Sequence, residues 1–133
     1  IAALRLSEKA TGCLLLSSDV LHFPDGYFDI VNAHGVLHHI EDPLPVLKAF
    51  HSVLRPGGLL YLMLYTEHLF AVYTNDSQPQ NPSFGAYTDG EGCYARSYIE
   101  TEGRALLAAA GFSVDRVFLY NKNHFRTFRA TRA

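Results

Sequence analysis

Two adjacent histidines, His38 and His39, are the residues of this chain best suited to moving a proton near neutral pH, because an unperturbed imidazole titrates there. Adjacent side chains point different ways, so at most one of the pair serves as a base. The alternative is that one packs and the other bonds to backbone. His34 and His38 stand four residues apart, a spacing that on a helix suits zinc. Gly35 interrupts them and no HExxH pattern exists, so no metal site is expected. Arg96 suits a carboxylate or a phosphate, and Tyr98 lies two residues on. A surface arginine and an aromatic residue bracing a helix start are the plain alternatives for those two. Asp19 follows a short apolar run and by itself reads as a turn or cap residue.

The elements that must position these residues follow from periodicity. Tyr27 to Asn32 is apolar with one acid and reads as a buried strand. His34 to Glu41 then cross from its carboxyl end to a helix expected over Asp42 to Leu54, with Asp42 as N-cap and Pro43 in the first helical position. Arg55 is expected in its last turn, and Pro56-Gly57-Gly58 ends it. Leu59 to Tyr65 follows without alternation, a strand covered on both faces. Strand, helix, strand makes a βαβ unit with a right-handed crossover. In an open α/β sheet, ligands bind at the carboxyl ends of such strands. Upstream, Ile1 to Lys9 reads as the end of a helix and Cys13 to Ser17 as a short strand. Downstream, residues 66–97 lack periodicity but are rich in aromatics, with a helical turn expected over His68 to Tyr73. They read as an insertion or lid. Ser97 and Glu100 match a capping box for a helix burying Ile99, Gly103, Leu106, Leu107 and Ala110, with Gly111 at C′. Phe112 to Tyr120 and His124 to Arg132 read as an antiparallel hairpin around Asn121-Lys122-Asn123.

Composition narrows the class. With 133 residues, 48% hydrophobic and 18% charged, the chain suits one domain with a real core. Its longest apolar run, Leu59 to Tyr65, has seven residues, so no membrane partner is expected. Two cysteines make neither a disulfide framework nor a zinc site, and a reducing, cytoplasmic setting is the expectation. Residues 116–133 hold five basic residues and no acid. Arg126, Arg129 and Arg132 are expected on a solvated strand, with no nucleic-acid partner.

Four local patterns, in order, resemble class I S-adenosylmethionine-dependent methyltransferases. Asp19-Val20-Leu21-His22-Phe23-Pro24-Asp25-Gly26-Tyr27-Phe28-Asp29 resembles an acidic residue ahead of an "LPF-PDGSFD"-like run. Val36-Leu37-His38-His39-Ile40-Glu41-Asp42-Pro43 resembles the "VLHHI-DP" segment after the fourth strand. Leu54-Arg55-Pro56-Gly57-Gly58 resembles "L-K/R-PGG" before the fifth, and Ala110-Gly111-Phe112 the "AGF" that introduces the sixth. Asp89-Gly90-Glu91-Gly92, followed by Arg96 and Tyr98, is similar to an insertion in a subset of these enzymes.

The resemblance implies a Rossmann-like α/β fold, truncated, with a mostly parallel sheet and a C-terminal antiparallel hairpin. Its fourth strand is followed in space by the fifth, seventh and sixth. It implies S-adenosylmethionine as cofactor and a small-molecule acceptor. Asp19 and Val20 would hold the adenine, Asn32, His34 and Gly35 the methionyl part, and Arg96 and Tyr98 the acceptor, with His38 and His39 the candidate catalysts. The family's glycine-rich loop and the acid that holds the ribose have no counterpart in the sequence. Residues 1–133 are therefore expected to be a partial domain, inactive alone. Cys13 to Ser17 is expected either to pair with the edge of the Phe28 strand or to stand loose from it. The rival expectation is a non-catalytic half-domain that self-associates through that edge. A different nucleotide-binding α/β domain would need a phosphate-cradling glycine loop.

Overall fold

The computed structural model describes residues 2–4, 13–15, 23–69, 86–88 and 94–133. Strand β1 (Ala2–Leu4) pairs antiparallel with β2 (Cys13–Leu15), Ala2 opposite Leu15. This corrects, for residues 2–4, the helix expected over Ile1 to Lys9; Ile1 and residues 5–9 lie outside the described residues. Two short apolar runs satisfy each other's backbone more completely than a single helical turn can. The pair forms a sheet of its own, so among the described residues the Cys13 strand does not join the Phe28 strand and stands apart from the main sheet, paired only with β1.

The main sheet contains β3 (Phe28–His34), β4 (Leu54–Tyr65), β7 (Phe112–Tyr120) and β8 (Phe125–Arg132), in the order β3-β4-β8-β7. It is mixed: β3 and β4 run parallel, while β8 is antiparallel to both β4 and β7. The expected C-terminal hairpin is present, turning through Asn121, Lys122 and Asn123, all at positive φ. Two short strands, β5 (Ala86–Thr88) and β6 (Tyr94–Arg96), pair antiparallel outside this sheet.

One face of the sheet carries the core. Register places Leu60, Leu62 and Leu64 of β4 opposite Ala130, Phe128 and Arg126 of β8. The three leucines, Phe128 and Ala130 are buried and cluster with Leu47 and Leu107. Those two residues come from helices α1 (Leu44–Val53) and α2 (Glu100–Ala109). Gly103 is what lets α2 lie close: a Cβ there would stand 2.3 Å from the Phe128 ring. The alternate residues Leu59, Tyr61, Met63 and Tyr65 are only half-buried, so β4 is not covered equally on both faces.

Tertiary contacts move several ends by one or two residues. Helix α1 starts at Leu44 rather than Asp42, although the Asp42 carboxylate still accepts the Leu44 N–H at 3.3 Å. Its chain passes straight into β4, so Arg55 is not in a helical turn; it pairs with Asp29. Register runs Phe28 to Leu54 and then Ile30 to Leu59, so Arg55-Pro56-Gly57-Gly58 form a bulge inside β4. Helix α2 starts at Glu100, where Ser97 had been expected as cap. The Tyr98 N–H is bonded to the Tyr65 carbonyl at 2.9 Å and its carbonyl to Arg126, which ties residue 98 to the sheet rather than to the helix. Glu102 instead accepts the Ile99 N–H at 3.3 Å, and Ile99 is exposed rather than buried.

Candidate active site at the carboxyl ends of the parallel strands

Strands β3 and β4 end side by side, His34 opposite Met63. Beyond β3, Gly35 adopts φ +76°, a conformation that favours glycine. A 3-10 turn, Leu37–His39, follows, closed by bonds from His39 N–H to the Val36 carbonyl and from Ile40 N–H to the Leu37 carbonyl. The turn separates the two histidines. His38 points inward and is fully buried, whereas His39 is exposed.

The His38 ring stacks on Tyr65, centroids 3.5 Å apart and planes 22° from parallel. His39 lies 4.3 Å from it and meets Tyr65 edge-on at 5.8 Å. Burial, and secondarily the neighbouring His39, lower the His38 pKa from 6.5 to about 4; a Met63 backbone group opposes the shift. The Met63 backbone lies near the His38 ring, but no contact of either ring nitrogen meets full hydrogen-bond geometry, so the backbone's pull on the proton stays weaker than burial. At neutral pH His38 is thus an uncharged aromatic plate.

The other wall is built from β6 and the residues after it. β6 packs against the 3-10 turn, which brings Arg96 and Tyr98 to the same end of the sheet as the histidines. Arg96 bonds Glu102 at 2.7 Å and lies over the Tyr98 ring, 4.5 Å from its centroid. Tyr98 is buried. Arg126 bonds the Tyr98 carbonyl at 2.8 Å and both oxygens of Glu67 at 3.3 Å. That hydrogen bond from Arg126 keeps the Glu67 carboxyl below its usual range against the opposing effect of burial.

Asn32 and His34 are exposed and two residues apart on β3, so they share a face. With Gly35 they form one group at the strand end. Asp19 and Val20 lie outside the described residues, as do Asp89-Gly90-Glu91-Gly92 and most of the expected 66–97 insertion; residues 67–69 are helical, as expected for its start. Among the described residues, no three His, Cys, Asp or Glu side chains gather as a metal site would need.

Tyr65, Glu67, Glu102 and Arg126 belong to this network and were not singled out by sequence. Arg126 corrects the solvated-strand expectation: it is 5% exposed. Arg132 is half-buried and donates to the Ser52 and Leu54 carbonyls. Arg129 pairs with Asp115 on the surface and holds that carboxyl below its usual range. The signal that could have found Arg126 is register, since it falls opposite the buried Leu64.

A groove of about 190 Å³, lined by Phe23, Phe28, Ile30, Val31, Phe50 and Val53, lies elsewhere, beside β3 and α1. It contains none of the polar residues above.

Strand order and the parallel βαβ unit give the described residues a Rossmann-like methyltransferase fold, as the resemblance implied. Residues 2–62 match the family model described as a methyltransferase domain. Over 52 residues the chain is 42% identical to the tRNA 5-carboxymethoxyuridine methyltransferase of Escherichia coli K12, covering 39% of this chain and 20% of that protein. It is 37% identical over 51 residues to the ubiquinone biosynthesis O-methyltransferase of Pseudomonas paraeruginosa, covering 35% and 22%. The matches thus span about a fifth of those two relatives' length. Among solved structures, an S-adenosylmethionine-dependent methyltransferase from Methanosarcina mazei aligns with a TM-score of 0.68 at 24% identity, covering 86% of this chain and 63% of that one. A 1,6-didemethyltoxoflavin-N1-methyltransferase from Burkholderia thailandensis, solved with S-adenosylhomocysteine, aligns with a TM-score of 0.65 at 22% identity, covering 81% and 45%. Among the described residues, no helix is long and apolar enough to cross a membrane.

Proposed function

We propose that this chain forms part of a domain that transfers a methyl group from S-adenosylmethionine to a small-molecule acceptor, in a reducing, cytoplasmic setting. The observation that carries this reading is the convergence, at the carboxyl ends of β3 and β4, of Asn32, His34 and Gly35 with the His38–His39–Tyr65 cluster and the Arg96–Tyr98 wall. The cofactor would supply an electrophilic methyl group on a sulfonium. The β3 end fits it, because a Cβ at Gly35 would find its nearest neighbour, the Met63 methyl, only at 3.9 Å, leaving the backbone there open to close approach. Asp19 and Val20 are assigned to the adenine by the resemblance.

The chain's own residues divide the remaining work. His39, exposed beside the acceptor wall, is the group placed to accept a proton. His38 is buried and uncharged, so of the two candidate catalysts it is the supporting plate. Arg96 would meet an acceptor's carboxylate or phosphate in competition with Glu102, and Tyr98 would form the floor beneath it. The relatives include enzymes named for tRNA and for ubiquinone substrates. A small molecule is favoured here because three of the five C-terminal cations are already engaged: Arg126 with Glu67, Arg129 with Asp115, and Arg132 with backbone carbonyls. Of these five, Arg116 and Lys122 alone do not make the basic patch that a nucleic acid would need.

The sequence holds no glycine-rich cofactor loop, so the 133-residue chain alone is proposed to be inactive. Residues 66–97 are proposed to be an insertion that carries the acceptor wall. Calorimetric titration of the chain with S-adenosylhomocysteine tests the partial-domain reading. No micromolar binding is expected; micromolar binding would show that the missing loop is not needed. A second reading, self-association of a non-catalytic half-domain, is favoured by one observation. On its outer side β3 has no strand partner among the described residues, and Ile30 is 54% exposed there. A discrete dimer in sedimentation would support that reading.

A further inference from the structure

We propose that Arg126 is the positioning residue of the acceptor wall: its guanidinium locks residues 96–98 against the carboxyl end of the sheet. A cation leaves water only where opposite charge and acceptors meet it, and Arg126, though 5% exposed, is met by both. Its Nη1 donates to the Tyr98 carbonyl at 2.8 Å and to Glu67 Oε2 at 3.3 Å, and its Nη2 donates to Glu67 Oε1 at 3.3 Å. The Tyr98 N–H is taken by the Tyr65 carbonyl at 2.9 Å. Residue 98 is thus held at both backbone groups, one by the end of β4 and the other by β8.

What is held in this way is useful. The ring of Tyr98 lies under the Arg96 guanidinium, and Tyr65 carries the His38 ring on its face. A line of direct contacts therefore runs from Arg126 through Tyr98 and Tyr65 to His38. Glu67 follows β4 and Tyr98 precedes α2, so the same guanidinium ties together the two chain segments that flank residues 70–93. A lysine offers a point charge and lacks the planar fork that serves two partners at once. This role rests on the reading of that end of the sheet as the methyl-transfer site, but the lock itself can be tested without cofactor or acceptor.

Amide hydrogen exchange of the full 133-residue chain is the test, with Arg126→Met and Arg126→Lys compared with the unaltered protein. The Tyr98 amide is read against the Leu62 amide at the centre of β4, so that a merely structural loss, which moves both, is separated from local release. The expected result is that Tyr98 exchanges at least about tenfold faster relative to Leu62 in Arg126→Met, with partial restoration in Arg126→Lys. Tyr98 and Leu62 changing in parallel in both variants would overturn the proposal. If Arg126→Met does not fold, Arg126→Lys decides alone: selective release of Tyr98 supports the lock and parallel change refutes it. A negative cofactor titration leaves this result intact, so failure of the lock and failure of the methyl-transfer reading are told apart.

Discussion

The two ends of the region around β3 are built on opposite principles. At the carboxyl end, polar groups are taken out of water: His38, Thr66 and Arg126 are buried, and Arg126 and Thr66 are paired across elements more than fifty residues apart in sequence. Along the outer edge, apolar groups are left in water: Ile30 and Tyr27 are exposed, beside an apolar groove and the packed rings of Phe23, Tyr27 and Phe28. A buried polar network is costly unless satisfied and is restrictive once it is. An uncovered apolar face is a surface that calls for a cover. The first is the arrangement the proposed site requires, and the second is the one that self-association through β3 would use.

The largest expected effect separating the two regions is the pH dependence of His38. Its folded pKa is lowered to about 4 from 6.5, so between those values the unfolded chain takes up the proton first. Its contribution to stability is therefore complete above pH 6.5 and is lost as pH falls towards 4, by about 3 kcal/mol over the window. Melting temperatures should fall across that range in the unaltered protein and fall less in His38→Phe, which removes the titrating group. Equal slopes would place the acid sensitivity elsewhere.

Next in size is Tyr65→Ala, which removes the plate against which His38 stacks. It should destabilise by about 2 kcal/mol, because Tyr65 is half-buried. It should also raise the His38 pKa by opening the ring to water. Urea unfolding together with histidine NMR reads both effects, and destabilisation with no change in the His38 titration would dissociate the pair. The outer edge should respond differently. Ile30→Lys should change monomer stability by no more than about 0.5 kcal/mol, since Ile30 is exposed. It should nonetheless reduce any self-association seen in sedimentation. A large loss of stability in this variant would mean that the edge is covered.

Legibility in the sequence follows the same division. Both helices are carried by local periodicity and strands β3, β4, β7 and β8 by their local apolar residues, although β4 begins at Leu54 and not at Leu59. The ends that moved were those fixed by distant groups: α2 begins beyond Tyr98, whose carbonyl, which a helix would use as an acceptor, is taken by Arg126 while its N–H is tied to Tyr65. The change of residues 2–4 from expected helix to strand came from pairing with β2, which the spacing of so short a stretch does not reveal. At the site, the histidine pair was visible as a candidate. Which of the two is buried was not, because that depends on the 3-10 turn at Leu37–His39 and on Tyr65 across from it. Arg126 looked like a surface cation because the acid that meets it, Glu67, is 59 residues away.

The division between His38 and His39 is the claim on which the site depends, and its most direct test is the NMR titration of the His38 ring carbon-bound protons. The account predicts that these signals stay at their neutral-form positions from pH 8 down to pH 5, with the midpoint near 4. A midpoint at or above pH 6 would mean that His38 reaches water and would remove the buried, uncharged plate from the site.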